Sequence, residues 1–392
     1  MQSFFWCANC TYFSFLVIYL TSKQFSEFEI GLAMTLLAAV SILSPSILGY
    51  ISDYVFPVKN IIIFMMMLSI PVAFTLGMSV TLVPVALLSV TLMGITEKSL
   101  VSVIDSWGVK IRRGKPYLNY GVSRGIASLS YAVAALSLGQ IFNVIGIDNL
   151  FWIHAIFAAG CIAAALFLDH VPTLTGQSQK KSYYAAIKQL ASNKKYVLLV
   201  ICMALAGMSF VTSFTFQPIL LTQMGGTAFH MGLSLFVMAG SEVPVMFYFS
   251  RIAEKYKLVF LLNLAFLFTF FRVIANVLAP NLGWLISVQA IQAFSFGLYL
   301  PAVLMYISLI TDDHLKGTAI TLAVSVGEGF AGIGGNLFGG YLAEKLGVRS
   351  VFYLFSLFAL AAFLIFLVGN KLIDRMDAKK QTVLLKSEEL IQ

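Results

Sequence analysis

Charge is scarce in this 392-residue chain, where only 11% of the residues are Asp, Glu, Lys or Arg and 59% are hydrophobic. A soluble globular chain carries about 25% charged residues, so this composition excludes that class. The apolar residues fall into runs of about 20, the length of helix that crosses the hydrocarbon core of a bilayer. The sequence therefore predicts an all-α membrane protein.

Cysteine, histidine and the short motifs of common enzymes are rare or missing. The four cysteines all lie in apolar runs, and the pair Cys7 and Cys10 has no companion Cys or His pair, so we interpret them as packing residues. His154, alone in its apolar run, is expected to be a buried residue with a partner rather than a proton carrier. No P-loop, H-E-x-x-H, G-x-S-x-G or dinucleotide fingerprint occurs in a suitable context. We expect neither an enzyme nor a bound cofactor or metal.

Twelve apolar segments are long enough to cross a membrane. They comprise residues 3–21, 27–53, 59–77, 79–107, 117–142, 149–168, 195–222, 228–251, 257–278, 281–309, 317–343 and 349–370. The first lacks the basic region and the small-residue cleavage site of a signal peptide, so we interpret it as a retained helix. The segments form two sets of six, which predicts four parts: an N-terminal half 1–168, a cytoplasmic linker 169–194, a C-terminal half 195–370 and a cytoplasmic tail 371–392.

Lysine and arginine are distributed unevenly among the loops. With the N-terminus inside, 19 of the 25 basic residues fall in the inner loops, the linker or the tail, and only Lys23, Lys345 and Arg349 fall in outer loops. The positive-inside rule therefore predicts a multi-pass protein of the inner membrane with both termini cytoplasmic. The net charge of +8 then reflects this topology and contact with anionic lipids, not nucleic-acid binding.

Four charged residues lie in or at the edge of apolar segments: Asp105, Arg124, Glu242 and Arg272. A charge at the bilayer centre costs at least about 2.5 kcal/mol, so such residues usually face a cavity and mark a pathway. They are therefore the first candidates for a site.

One helical face of the fifth segment carries Tyr120, Arg124, Ser128 and Tyr131, which recur at helical spacing. An arginine flanked by hydroxyl groups and aromatic rings suits an oxygen-rich, partly planar ligand. Asp105 ends the fourth segment and is expected close to Arg124. The two residues either bind the ligand or form a structural ion pair.

Glu242 lies in the middle of the eighth segment with no basic residue within one turn. A carboxyl group removed from water takes up a proton readily, so Glu242 is the candidate proton carrier. Arg272 on the next segment is the candidate counter-ion, and the alternative is a static pair that stabilises the C-terminal half. Glu328 stays open between function and helix packing, and Lys98 is interpreted as a local partner of Asp105.

Six segments, a linker and six more segments resemble the major facilitator superfamily. The sequence Gly49-Tyr50-Ile51-Ser52-Asp53 matches the G-x-x-x-D loop motif of that family at Gly49 and Asp53, although Tyr54 replaces the usual basic residue. The resemblance implies two six-helix pseudo-repeats that rock about a central site for a small molecule. It also implies a monomer without cofactors, in contact with membrane lipids.

Several short blocks resemble the lactose permease group and the related phenylpropionate and nucleoside proton symporters. Cys10-Thr11-Tyr12-Phe13 is similar to G-A-Y-F, Tyr120-Gly121-Val122-Ser123-Arg124 to F-G-R-A-R, and Met238-Ala239-Gly240-Ser241-Glu242 to M-G-E. The resemblance implies proton coupling at Glu242 and Arg272. Together with the polar residues of the C-terminal half, it predicts substrate ligands at Tyr12, Asp105, Arg124, Ser128, Tyr131, Gln217, Glu242 and Gln292.

The residues that couple protons in the lactose permease are absent here, since Gln292 and Ser295 stand in the places of its His and Glu. Lactose-like disaccharide transport is therefore not expected. The sequence predicts a secondary active transporter that imports a small oxygen-rich solute together with protons; the solute would be a sugar, a nucleoside or an aromatic acid. The alternative is a multidrug or metabolite exporter, which the aromatic content of 14% permits.

Overall fold

The computed structural model describes residues 1–78, 82–101, 103–104, 120–167, 183–312 and 315–389. The side chains of residues 46, 50, 53–54, 120–125, 183–186, 328, 377 and 379–389 are outside this description. Among the described residues, eleven helices are long and apolar enough to cross a membrane. A twelfth, α4, is shorter within the described range.

The spanning helices are numbered in chain order. They are α1 Gln2–Ser22, α2 Glu27–Tyr54, α3 Val58–Met78, α4 Val83–Met93 with a π turn at Gly94–Lys98, α5 Tyr120–Ile145, α6 Leu150–Leu166, α7 Lys194–Gln223, α8 Ala228–Lys255, α9 Leu258–Val277, α10 Leu282–Ile310, α11 Lys316–Leu346 and α12 Val348–Glu389. Each predicted apolar segment overlaps one of these helices, which confirms the all-α prediction. A short helix, Tyr183–Ser192, lies within the predicted linker, and α12 continues well past the predicted end of its segment at residue 370.

Local sequence explains where several helices begin. The Ser26 hydroxyl accepts a hydrogen bond from the Glu29 backbone N–H at 3.2 Å, and the Glu29 carboxylate accepts one from the Ser26 N–H at 2.8 Å. This reciprocal arrangement satisfies two backbone donors at the start of α2. The tight turn between α11 and α12 contains Gly347 at φ +84°, a backbone conformation that residues with a Cβ rarely adopt.

Four spanning helices contain an irregular stretch. Besides the π turn of α4, α1 contains one at Cys10–Ser14 and α7 one at Thr212–Phe216, and α10 contains a 3₁₀ stretch at Val288–Ala293. Such interruptions free backbone groups and redirect side chains, and they occur frequently at functional sites. Three of the four interruptions supply residues to the cavity described below.

At one end of the bundle, glycines let the two halves approach backbone to backbone. A Cβ on Gly31 of α2 would lie 2.5 Å from the Asn336 carbonyl oxygen of α11, and one on Gly232 of α8 would lie 2.3 Å from the Ala135 oxygen of α5. Small residues allow this packing inside membranes, where close van der Waals contact drives helix association. The halves are therefore in contact at the end where α1 is followed by α2 and α11 by α12.

The opposite end of the same helices is more open. At Gly49 of α2, Gly240 of α8 and Gly317 of α11, an added Cβ would meet no atom within 4 Å. Contacts between the halves thus concentrate at one end of the bundle. A cavity lies between the halves.

A central cavity and a buried polar chain

The cavity has a volume of about 350 Å³ and draws its wall from both halves of the chain. Helices α1, α2, α4 and α5 contribute from the N-terminal half, and α7, α8, α10 and α11 from the C-terminal half. The volume falls in the range of cavities that hold small molecules. Contribution from both halves is what a site exposed alternately to the two sides of a membrane requires.

Most of the cavity wall is apolar, and much of it is aromatic. Phe13, Phe210, Phe214 and Phe296 face it together with Tyr131. The polar residues of the wall are fewer, namely Asn9, Ser14, Ser41, Lys98, Thr215 and Asn336. A molecule that fits here presents an apolar surface and only a few polar groups.

Tyr131, one of the predicted ligands, lies in this wall. Its hydroxyl group shares a hydrogen bond of 2.7 Å with the Ser14 hydroxyl, and its ring meets Trp6 edge to face at 6.2 Å between centroids. These contacts join α5 to α1 and fix the ring orientation. Tyr131 is therefore held in place as part of the cavity surface.

A chain of polar side chains runs behind the wall in the C-terminal half. The Gln292 amide nitrogen donates to Glu242 Oε1 at 2.6 Å, and the Gln292 carbonyl oxygen accepts from the Arg272 guanidinium group. A second guanidinium nitrogen of Arg272 donates to Ser213 Oγ at 2.6 Å. The chain adjoins the cavity, because Ser213 precedes the wall residue Phe214 in sequence.

Glu242 and Arg272 interact through Gln292 rather than directly. Among the described residues, the ion pairs join Lys23 to Asp148, His154 to Glu97 and Lys195 to Asp374, and none includes Glu242. Arg272 is 1% exposed, whereas Glu242 is half-buried. The expected direct counter-ion contact is therefore replaced by a neutral side chain that bonds to both charges.

Three other predicted ligands lie away from the cavity wall. Tyr12 is fully buried and packs its ring against His154 at 5.8 Å between centroids, and Ser128 is exposed on α5. Gln217 is buried, and its amide nitrogen donates to Ser234 Oγ at 2.5 Å. The cavity wall includes Tyr131 but none of these three residues, so their predicted role as ligands stays a prediction.

Several predicted residues cannot be placed. Asp105 lies outside the described residues, as do the side chains of Arg124, Asp53 and Glu328. Gly49 lies near the end of α2 with open space beside it. The roles predicted for these residues stay predictions.

The sequence interpretation missed Lys98 as a cavity residue. Its ammonium nitrogen lies 4.6 Å from the centre of the Phe13 ring, and the side chain forms part of the wall. The adjacent Glu97 points the other way and pairs with His154 Nε2 at 2.8 Å, where both side chains are completely buried. This pair confirms that His154 is a buried residue with a partner. The sequence signal for Lys98 was the pair of adjacent opposite charges in an apolar segment. The π turn that directs one of them into the cavity has no sequence signature.

Two six-helix halves around a central cavity define a membrane transporter of the major facilitator type, and a comparison with known families agrees. The model of the MFS_1-like family matches residues 3–355, so the chain belongs to that family. The members to which it is similar are transporters, and the chain is accordingly a transporter and not an enzyme.

Two relatives illustrate the similarity in sequence. The chain is 27% identical to the uncharacterized transporter YwbF of Bacillus subtilis over 356 residues, which cover 89% of this chain and 86% of that protein. It is 25% identical to a maltose permease of Geobacillus stearothermophilus over 362 residues, which cover 92% and 90% of the two chains.

Solved structures extend the similarity in fold. A mutant of the nucleoside transporter NupG superposes with a TM-score of 0.83 at 13% identity, covering 94% of this chain and 98% of its own. A bacterial homologue of the human lysosomal transporter Spinster, in an inward-facing and unoccupied conformation, gives a TM-score of 0.72 at 14% identity, with 94% and 95% covered. These likenesses establish the major facilitator fold.

Proposed function

We propose that this transporter imports a small solute together with protons, and that Glu242 binds the transported proton. The observation that supports the proposal is the indirect contact between Glu242 and Arg272. A carboxylate held in a direct, buried ion pair stays ionised, whereas one separated from its cation can gain and lose a proton more easily. Glu242 is also only half-buried, and it lies close to the cavity wall, since a Cβ on Gly297, the neighbour of the wall residue Phe296, would lie 3.6 Å from the Glu242 Cα.

Gln292 allows Glu242 to exist in both protonation states. An ionised carboxylate accepts hydrogen bonds at both oxygens, and a protonated carboxyl group still accepts at its carbonyl oxygen. The bond from the Gln292 amide to Glu242 Oε1 can therefore persist when the proton arrives. Arg272 meanwhile fixes the orientation of the Gln292 amide by donating to its carbonyl oxygen.

The arrangement of the two halves suggests how proton binding drives transport. With the termini cytoplasmic, the end at which Gly31 and Gly232 pack is the outer end, and the cavity opens inward. Protonation of Glu242 would favour loading from outside, and loss of the proton inside would favour release. Proton binding and solute transport are coupled if the proton on Glu242 changes the relative stability of the outward-open and inward-open conformations.

The proposal is tested in proteoliposomes with radiolabelled maltose, uridine and benzoate as trial solutes. For a solute that the wild type accumulates under an inward proton gradient, Glu242→Gln should exchange solute across the membrane in counterflow but fail to accumulate it. Glu254→Gln, on the exposed end of α8, is the matched control and should behave like the wild type. Accumulation by Glu242→Gln at the wild-type level would contradict the role of Glu242.

An exporter of apolar compounds is the second candidate, because most of the cavity wall is apolar. Inside-out vesicles distinguish the two directions. If the lumen of these vesicles is made acidic, an importer should move solute from the lumen into the medium together with protons. Accumulation of a hydrophobic dye within them against its gradient would instead support export.

A further inference from the structure

We infer that the transported solute is a small organic monoanion with an apolar body, and that Lys98 and Asn9 bind its carboxylate group. This inference rests on the proposal that the central cavity is the transport site. It narrows the substrate class and adds two residues for which neither the motifs nor the relatives give a role.

Lys98 is the one ionisable cation in the described part of the cavity wall. Within the described residues its ammonium group has a ring, Phe13, as its neighbour at 4.6 Å and no carboxylate in an ion pair. An ammonium group removed from water is costly unless an anion or several hydrogen-bond acceptors replace the water. A solute carboxylate would supply that anion when it occupies the cavity.

Among the residues that the structure describes, no carboxylate forms an ion pair with Lys98. Glu97 is adjacent in sequence, but its Oε2 atom is paired with His154 on the side of α4 away from the cavity. Glu242 on α8 is hydrogen bonded to Gln292. Within the described part of the chain, Lys98 therefore has no anionic partner, and a solute carboxylate could take that place.

Asn9 provides an independent sign of a ligand. It is 2% exposed and lies in the cavity wall, yet its side-chain nitrogen has no hydrogen-bond partner among the described residues. A buried donor without a partner is unusual and calls for an acceptor. Asn9 lies about one helical turn before Phe13 on α1. The Lys98 ammonium group lies 4.6 Å from the centre of the Phe13 ring, so Asn9 and Lys98 face the same region of the cavity.

The remaining wall selects for an apolar body. Phe13, Phe210 and Phe296 present aromatic surfaces. A sugar would need many hydrogen-bond partners and would leave its hydroxyl groups facing these rings, which is unfavourable. A phosphate ester carries close to two negative charges, and a single lysine balances one. A carboxylate on an aromatic or aliphatic body matches both the charge and the surface.

Binding to the purified protein in detergent tests this inference without any proton gradient. The probes are matched pairs that differ only in charge: benzoate and benzamide, cinnamate and cinnamamide, hexanoate and hexanamide. Isothermal titration calorimetry gives the affinity of each. We expect at least one carboxylate to bind while its amide binds at least tenfold more weakly. Added salt should lower the affinity for that carboxylate.

Substitutions then identify the ligands. Lys98→Met should lower the affinity for the carboxylate about a hundredfold, since it removes the charge partner. Asn9→Leu should lower the same affinity about tenfold. Lys98→Arg keeps the charge and should retain much of the affinity. Lys345→Met, on the exposed end of α11, is the control for net charge and should bind like the wild type.

The melting temperature of each variant without ligand shows whether a loss of binding results from misfolding. Lys98→Met removes a partly buried charge without an ionic partner, so its melting temperature without ligand should equal or exceed that of the wild type. Equal affinity for a carboxylate and its amide, tight binding by Lys98→Met, or no binding by any of the three carboxylates would each overturn the inference. The coupling proposal can fail separately, because it is judged by accumulation in Glu242→Gln, whereas this inference is judged by equilibrium binding to the wild type, Lys98→Met and Asn9→Leu.

Discussion

The two halves of the protein each contain a carboxyl group within the membrane, but the two groups have different surroundings. Glu97 is completely buried and pairs directly with His154 at 2.8 Å, away from the cavity. Glu242 is half-buried and contacts Arg272 only through the Gln292 amide. The comparison teaches that two carboxyl groups in the same membrane protein can be held in different ways, one by a direct partner and one by a neutral bridge. If Glu242 carries the transported proton, as we propose, the bridge and the partial exposure distinguish it from Glu97.

The largest expected difference is in transport. Glu242→Gln should eliminate accumulation driven by a proton gradient, whereas Glu97→Gln should leave it in place, because the amide can still form a hydrogen bond with the His154 ring. Uptake of the same labelled solute in proteoliposomes, with and without the gradient, measures both variants. Coupling lost in Glu97→Gln but kept in Glu242→Gln would reverse the assignment of the two acids.

The packed end of the bundle, where α5 meets α8, provides a second contrast, because opening it moves the halves without touching either acid. Gly232→Leu places a side chain where a Cβ alone would lie 2.3 Å from the Ala135 oxygen, so α5 and α8 must separate. We expect this end to open and transport to fall steeply. Spin labels on α5 and α8 near Ala135 and Gly232 report the distance. Gly240→Ala, where a Cβ meets no atom within 4 Å, should leave both the distance and transport unchanged.

Stability should respond most to the direct pair. His154→Leu leaves Glu97 buried without its partner and should lower the free energy of unfolding by about 3–5 kcal/mol. Replacing both residues by Leu should restore most of that loss, because no buried charge then remains unpaired. Unfolding in a detergent and denaturant series measures the difference. A single variant as stable as the wild type would show that the pair contributes little.

The smallest effect is expected at the bridging amide. Gln292→Leu removes an acceptor from buried Arg272 and should lower the free energy of unfolding by about 1–3 kcal/mol. Ser295→Ala is the matched control on the same helix, since its hydroxyl makes only long hydrogen bonds to Gln292, at 3.4 Å and 3.5 Å. If both variants were equally stable, the bridge would not hold Arg272 in place.

Much of this comparison can be predicted from the sequence. Hydrophobicity predicts the helices, and the charged residues within apolar segments are the first candidates for a site. Glu242, Arg272 and Gln292 are all recognisable as polar groups in apolar segments, and the structure brings them into one hydrogen-bonded chain. Their order in that chain is not recognisable, because it depends on how three helices pack.

Side-chain direction is the part that the sequence could not predict. A regular helix would allow either Glu97 or Lys98 to face the cavity, and the π turn at Gly94–Lys98 decides that Lys98 does. Another π turn, in α1, places Phe13 and Ser14 in the wall while Tyr12 packs against His154. Small shifts in helical phase of this kind arise from packing and leave no pattern in the residues.

Infrared difference spectroscopy tests the central claim most directly, because the carbonyl stretch of a protonated carboxyl group is distinct from that of a carboxylate. Spectra of the purified protein at about pH 6 and about pH 9, where exposed carboxyl groups with ordinary pKa values near 4 are ionised in both, should show such a band at the lower pH. The account predicts that this band disappears in Glu242→Gln and persists in Glu97→Gln. A band that persists in Glu242→Gln and disappears in Glu97→Gln would contradict it.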